Sequence, residues 1–472
     1  MRTTNLSCGP LPASNPDGAT PFRRALPVVA GIALFSAGWS GTANASGYAL
    51  RDQSATAMGN AFAGATAGAD DLSYMFYNPA SLARQTGSQI IVGGNAILPN
   101  LKIRNGQGSA AVGTPISGNS GGNNAGKNAF VPILYGLLDL QQVFDLDQNV
   151  KFGVGVNVPF GLETDYRDGW TGRYYGLESK IRTISVTPTL AWEVLDGLSV
   201  AGGLNVQQVD AKLTNAIDFG SIGRAAGIPG SAPTQQDGKA KVSGDDIGYG
   251  YNLGILYEPW AGSRVGVAYR SAIHHTLQGD SRFTLDSAGV GAALQTTGRF
   301  RDGNATADVT TPESISFGVY HELTDQWAIM GESQFTRWSR FKDLTVEFDN
   351  PAQPSSVTEH DWDDTWFFAA GATWRPNGAW TVRGGAAFDQ SPIPDRTRTP
   401  RIPTDDRYLL SFGTSYKPFP NFTVDFSYMH VFSKDGSIDL SASDQGSPFA
   451  GNFSGESAMD ANVLALQIQW KF

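Results

Sequence analysis

The feature that most limits what this chain can fold into is a repeated alternation of apolar and polar residues, in segments whose linkers themselves alternate between short and long. Residues 461–472 read most clearly. Leu464, Leu466, Ile468, Trp470 and Phe472 share one face, and Ala465, Gln467, Gln469 and Lys471 share the other. A period of two belongs to a strand with unlike faces. The segment has the roughly 9–11 residues of a tilted strand that crosses a bilayer, with oily side chains toward lipid and amides toward a wet interior. Leu198, Val200, Leu204 and Val206 alternate with Ser199, Ala201, Asn205 and Gln207 in the same way, and residues 404–417 and 421–436 follow suit.

Such segments fall near 88–104, 128–140, 149–166, 179–195, 198–215, 244–258, 262–280, 311–323, 326–348, 357–375, 379–391, 404–417, 421–436 and 459–472. Short turns lie at Asp196-Gly197, Pro259-Trp260-Ala261, Thr324-Asp325, Pro376-Asn377-Gly378 and 417–420. Long, polar, Gly-rich linkers lie near 105–127, 167–178, 216–243, 281–310, 349–356, 392–403 and 437–458. A soluble sandwich has no reason to sort its turns by length. Short periplasmic turns and long outer loops are the layout of an outer-membrane barrel, and an even strand count returns both ends to the periplasm. The sequence therefore predicts an all-β membrane protein, a roughly 14-stranded antiparallel β-barrel spanning 88–472.

The first 87 residues read differently. Arg23 and Arg24 precede an apolar stretch at 25–39, and Ala43-Asn44-Ala45 is a small-x-small site, so residues 1–45 read as a signal peptide. The apolar stretch is too short to span about 30 Å of hydrocarbon. Its removal takes away Cys8, the one cysteine. Residues 46–87 are rich in Ala and Gly, with two short helical pieces opening near Ser54 and Asp70-Asp71, both favourable N-cap types. This is the profile of a small helical plug inside the lumen. A chain with 34 basic against 44 acidic residues offers nucleic acid no electrostatic footing.

Reactive chemistry finds little purchase. His274, His275, His321, His360 and His430 show no metal-ligand spacing, and His274 and His275 point to opposite faces of a strand. A Ser–His–acid site at the rim is recognised by geometry rather than residue type. Asp361-Trp362-Asp363-Asp364 reads as a cation site or a solvated loop end. The reading is of no enzyme, cofactor, metal site or catalytic residue. Within the third strand, Pro159-Phe160-Gly161 interrupts the alternation. Proline cannot donate to a ladder, so pairing should fail there, whether as a bulge or as an opening. In the linkers near 216–243 and 281–310, Phe219, Ile222, Leu285 and Leu294 are candidates for first capture of a hydrophobe, or for ordinary loop packing.

Several motifs carry a resemblance over nearly the whole chain. They are Ala69-Asp70-Asp71 with Asn78-Pro79-Ala80, Gly254-Ile255-Leu256-Tyr257, Tyr269-Arg270-Ser271, Trp338-Ser339-Arg340-Phe341, the run from Ala387 through Phe388-Asp389-Gln390-Ser391-Pro392 to Pro394, and Ser427-Tyr428-Met429-His430. The chain resembles the FadL-like long-chain fatty acid transporters of the Gram-negative outer membrane, a group that includes aromatic-hydrocarbon channels. The resemblance implies a monomer in outer-membrane lipid, with Asp70, Asp71, Asn78, Pro79 and Ala80 as the plug motif. It also implies passive uptake of long-chain fatty acids or aromatic or aliphatic hydrocarbons, and lateral release through a gap at Pro159, Phe160 and Gly161. The family's carboxylate-binding cations do not map here. Asp210 stands where one is expected, and Arg340 and Lys342 are substitutes or merely rim residues. The alternative is a general porin or structural barrel that acts as a surface receptor.

Overall fold

Alternation builds the wall. The computed structural model describes residues 47–442 and 449–472, so the expected signal peptide lies outside the described residues. Its strands are β1 (Gln89–Ser109), β2 (Ala129–Asp139), β3 (Val150–Asn157), β4 (Gly161–Asp165), β5 (Glu178–Leu195), β6 (Leu198–Asp218) and β7 (Asp237–Trp260). There follow β8 (Ser263–Arg270), β9 (Ile273–Thr284), β10 (Gly303–Thr311), β11 (Ser314–Glu322), β12 (Trp327–Thr336), β13 (Asp343–Phe348) and β14 (Ser356–Glu359). The last are β15 (Thr365–Trp374), β16 (Trp380–Asp389), β17 (Arg407–Phe419), β18 (Phe422–Ser433), β19 (Gly436–Leu440) and β20 (Asn452–Lys471). Six passes are each broken once, so these make a closed, antiparallel, 14-stranded barrel. β20 pairs with β18 on one side and with β1 on the other, from Gln89↔Lys471 to Ser109↔Asn452.

The lipid face follows the dyad: Leu466 is 52% exposed and Trp470 55%, while Gln467 between them is 0% exposed. At the short-turn end Trp327 stacks on Trp374, and Trp380 meets Tyr416, as in the aromatic girdle of a membrane barrel. The expected wet interior is where the sequence reading fails. At this level the inward amides face protein. Gln467 accepts a hydrogen bond from Ala55 N (2.9 Å) and donates to Asp71 (2.7 Å) and Thr56 (2.9 Å).

Those partners belong to the segment 47–87, which lies inside the barrel. Ser54 caps the helix Ala55–Met58, Asp71 caps the 3-10 turn Leu72–Phe76, and Asn78 caps Pro79–Arg84 with proline at its first position. Almost every residue from Asp52 to Ala83 is buried. Small residues allow this close fit on both sides. A Cβ on Gly385 of β16 would run into the carbonyl of Asn60, and one on Gly266 of β8 into that of Thr66. The linker expected at 281–310 is only partly loop. Residues 303–311 instead extend the wall as β10, paired with β9, because Thr and Val there continue the alternation through the break at Pro312.

Candidate functional site

The third pass loses its ladder where Pro159 interrupts it. β3 pairs with β2 only from Lys151↔Asp139 to Val156↔Leu134, and β4 pairs with β5 alone. Above the break, a single bridge joins Gly126 and Thr164. β2 carries its own proline, Pro132, in the stretch beyond Leu134, so neither side of the seam is a regular donor. The polar groups of the break turn inward. Gln53 donates from Nε2 to Val158 O (2.7 Å) and accepts from Val158 N (3.1 Å). Leu50 N donates to Pro159 O and Gly161 N to Tyr48 O, both at 2.8 Å, around an antiparallel bridge of Ala49 with Phe160. Thr183 on β5 takes the remaining Phe160 N–H (3.0 Å). The N-terminal strap of the plug thus serves as a replacement strand, satisfying backbone groups the wall has abandoned.

Tyr48 anchors the strap. Its ring sits in a cage of Trp338 (4.9 Å), Phe160 (5.7 Å), Trp362 (5.8 Å) and Phe341 (6.0 Å). Trp338 and Trp362 come from the interruptions after β12 and β14, which fold into the lumen rather than out to solvent. The cage separates two cavities. The upper, about 100 Å³, is almost wholly apolar, with Leu162, Ile181, Leu277, Val309 and Val346 in its walls and Tyr48 at its border. The lower, about 80 Å³, is lined by Pro159 and Phe160 of the break, by Phe62, Phe76 and Trp338, and by Arg51, Arg270 and Glu332. Beside it, burial pushes the Asp52 carboxyl up to about 6, against the pull of the Arg407 and Arg51 guanidiniums.

The other expected residues fall in two places. In the plug, Asn78 donates to Thr66 O (2.7 Å) and to Ile255 O of the wall (3.0 Å), next to Pro79 and the buried Ala80. Asp71 accepts from Ser73 N and Gln467, and Asp70 faces Arg383 (3.4 Å) and Arg264 (4.0 Å). Burial alone would raise the Asp70 carboxyl, but Arg383 and Arg264 hold it below its ordinary value. In the outer loops, Phe219, Ile222 and Leu294 are buried against Val290 and Phe300, with Leu285 packed at the edge. The four therefore form a closed apolar cluster, apart from both cavities. Arg340 is committed to Glu313 and Lys342 to Asp361 (2.8 Å), both exposed at the rim. The sequence reading missed Tyr48, Gln53, Pro132, Trp338 and Trp362 as members of one site. Only Trp338, inside a quoted motif, carried a signal.

A wall with one opened seam, strapped from within by its own plug, is a specific architecture. Residues 36–472 match the model of the outer membrane protein transport protein family, OMPP1/FadL/TodX. The chain belongs to this family. As a FadL/TodX-type protein it is an outer-membrane transport channel for hydrophobic compounds, and not an enzyme. An outer membrane protein of Neisseria meningitidis serogroup B is 30% identical to it over 452 residues, 91% of this chain and 95% of that one. The long-chain fatty acid transport protein of Escherichia coli O6:H1 is 27% identical over 441 residues, 90% and 91% of the two chains. Among solved structures, a Pseudomonas aeruginosa FadL homologue matches with a TM-score of 0.82 at 24% identity, covering 90% of this FadL/TodX-type chain and 100% of that one. At that identity the likeness speaks for the fold.

Proposed function

We propose that this channel takes up long-chain fatty acids or comparable hydrophobes passively, and that it releases them sideways into the outer membrane at the seam beside Pro159-Phe160-Gly161. Transfer of a fatty tail from water gains about 0.8 kcal/mol per CH₂, on the order of 12 kcal/mol for a long chain. Such a molecule has nothing to gain from a water-filled pore. It needs an apolar pocket within reach of the outer loops and a side exit into lipid. The upper cavity supplies the pocket. The observation that carries the reading is the ladder lost between β2 and the third pass and bridged only by the strap. Withdrawal of Tyr48 and Leu50 would join the two cavities and free the seam in one movement. The relative named a long-chain fatty acid transport protein supports the fatty substrate.

The test is uptake of labelled oleate by cells that lack their own transporter. Wild type restores uptake. A straightened third pass, Pro159→Val with Gly161→Val, reaches the membrane and loses at least tenfold of it. Unchanged uptake in the straightened variant would falsify lateral release. A panel of fatty acids against aromatic hydrocarbons then fixes the preferred substrate.

A further inference from the structure

The lower cavity holds two cations without acids. Arg51 makes no hydrogen bond and no ion pair among the described residues. Its guanidinium lies 3.8 Å over the Phe367 ring and faces the cavity. Arg270 donates once, from Nη2 to Phe76 O (2.7 Å), and stacks 4.5 Å over the Phe76 ring. It too has no carboxylate within 4.0 Å among the described residues. The one acid lining the same cavity, Glu332, is engaged elsewhere: it accepts from Thr66 N (3.0 Å) and from the Thr66 hydroxyl. On the far side of Arg51, Asp389 is paired with Arg407 (2.7 Å). Asp52 makes no ion pair within 4.0 Å among the described residues.

A guanidinium removed from bulk water and left without an anion is costly, and two in one small cavity are more so. Aromatic faces offset part of that cost, on the order of 1–2 kcal/mol each, without consuming the hydrogen-bond donors. The donors stay available for a planar, two-oxygen acceptor, the group that guanidinium forks match best. The volume agrees. About 80 Å³ is a little under three waters, room for a carboxylate and its first methylenes but not for a tail. Pro159 and Phe160 border the same space.

We propose that Arg51 and Arg270 form an anion subsite in the lower cavity. It receives the carboxylate head of a transported amphiphile beside the seam while the tail lies in the apolar space above or between the strands. The assignment rests on the uptake reading above and adds to it the head-group class. Arg51 sits on the strap itself, so the ligand's charge is read by the segment whose position holds the seam closed.

The experiment compares oleate with oleyl alcohol, the same tail with a neutral head, by equilibrium binding to the full-length protein in uncharged nanodiscs and by uptake into cells. Wild type binds oleate at least tenfold more tightly than the alcohol. Arg51→Gln/Arg270→Gln brings that ratio close to one with alcohol binding unchanged, and Arg51→Lys/Arg270→Lys keeps most of it. The single Arg51→Gln, which leaves the wall intact, gives an intermediate ratio, and heat-dependent gel mobility verifies the barrel in each case. A ratio untouched by the Gln substitutions, or a wild type with no preference, overturns the anion subsite alone. A wild type that takes up neither compound overturns the uptake reading and the subsite with it.

Discussion

Gly385 shows how one missing side chain fixes the position of a plug. The residue faces inward from β16, where the backbone of Asn60 occupies the place of a Cβ. Its neighbour Gly384 faces lipid, and its nearest atom to an added Cβ is Ser411 O at 3.9 Å. Gly385→Leu should therefore displace the plug and let large antibiotics such as vancomycin into cells, while Gly384→Ala leaves sensitivity unchanged. Asp52 poses a second question at this scale. Its carboxyl, raised by burial to about 6, makes the folded strap bind a proton more readily than an unfolded chain, for which the value is 3.8. The stabilisation is then fully present below about pH 4 and is lost as pH rises through 6, by up to about 3 kcal/mol. Hydrogen exchange of the Leu50 and Gly161 amides should accelerate between pH 4 and pH 7 beyond the intrinsic rate, and Asp52→Asn should remove the excess.

The decisive element is the third pass with its strap. Gln53 satisfies both backbone groups of Val158, so Gln53→Ala leaves a buried N–H and C=O without partners, a loss of about 1–3 kcal/mol for each. Exchange at Val158 and Phe160 should quicken at least tenfold while that at Val156, still in the ladder, does not change. Half of this element was legible in the sequence. Pro159 announces a failed ladder because the reason is local: it has no N–H. What replaces the ladder comes from Tyr48, Leu50 and Gln53, more than a hundred residues away, and no period or spacing encodes that pairing. The wall was legible for the same reason in reverse, since alternation repeats in every strand. The interruptions were less so. Trp338 and Trp362 read as motif and loop end, because the inward fold of their segments depends on Tyr48 waiting for them. The apolar outer-loop residues Phe219, Ile222 and Leu294 satisfied one another, a choice that composition alone left open.

At the scale of the whole molecule, the question is what can pass and in which direction. A 14-stranded barrel is wide enough to leave a water channel if nothing fills it. Here the plug is hydrogen-bonded to the wall on several sides, from Gln467 on β20 to Glu332 on β12 and the Ile255 carbonyl on β7. The cavities that remain, about 80 and 100 Å³, hold a few waters each and are separated by the Tyr48 cage. An ion would have to shed its hydration shell to cross, at a cost no apolar wall repays. A hydrophobe meets the opposite balance, since every methylene it buries lowers its free energy. Planar-bilayer recordings should therefore show no steady current through wild type, and a large one once residues 47–87 are deleted. A steady nanosiemens current through the intact protein would instead favour the general porin, because it would require a continuous column of water along the plug. Cells with the deletion should also lose selectivity, admitting small hydrophilic solutes that wild type excludes, since the wall alone discriminates only by size.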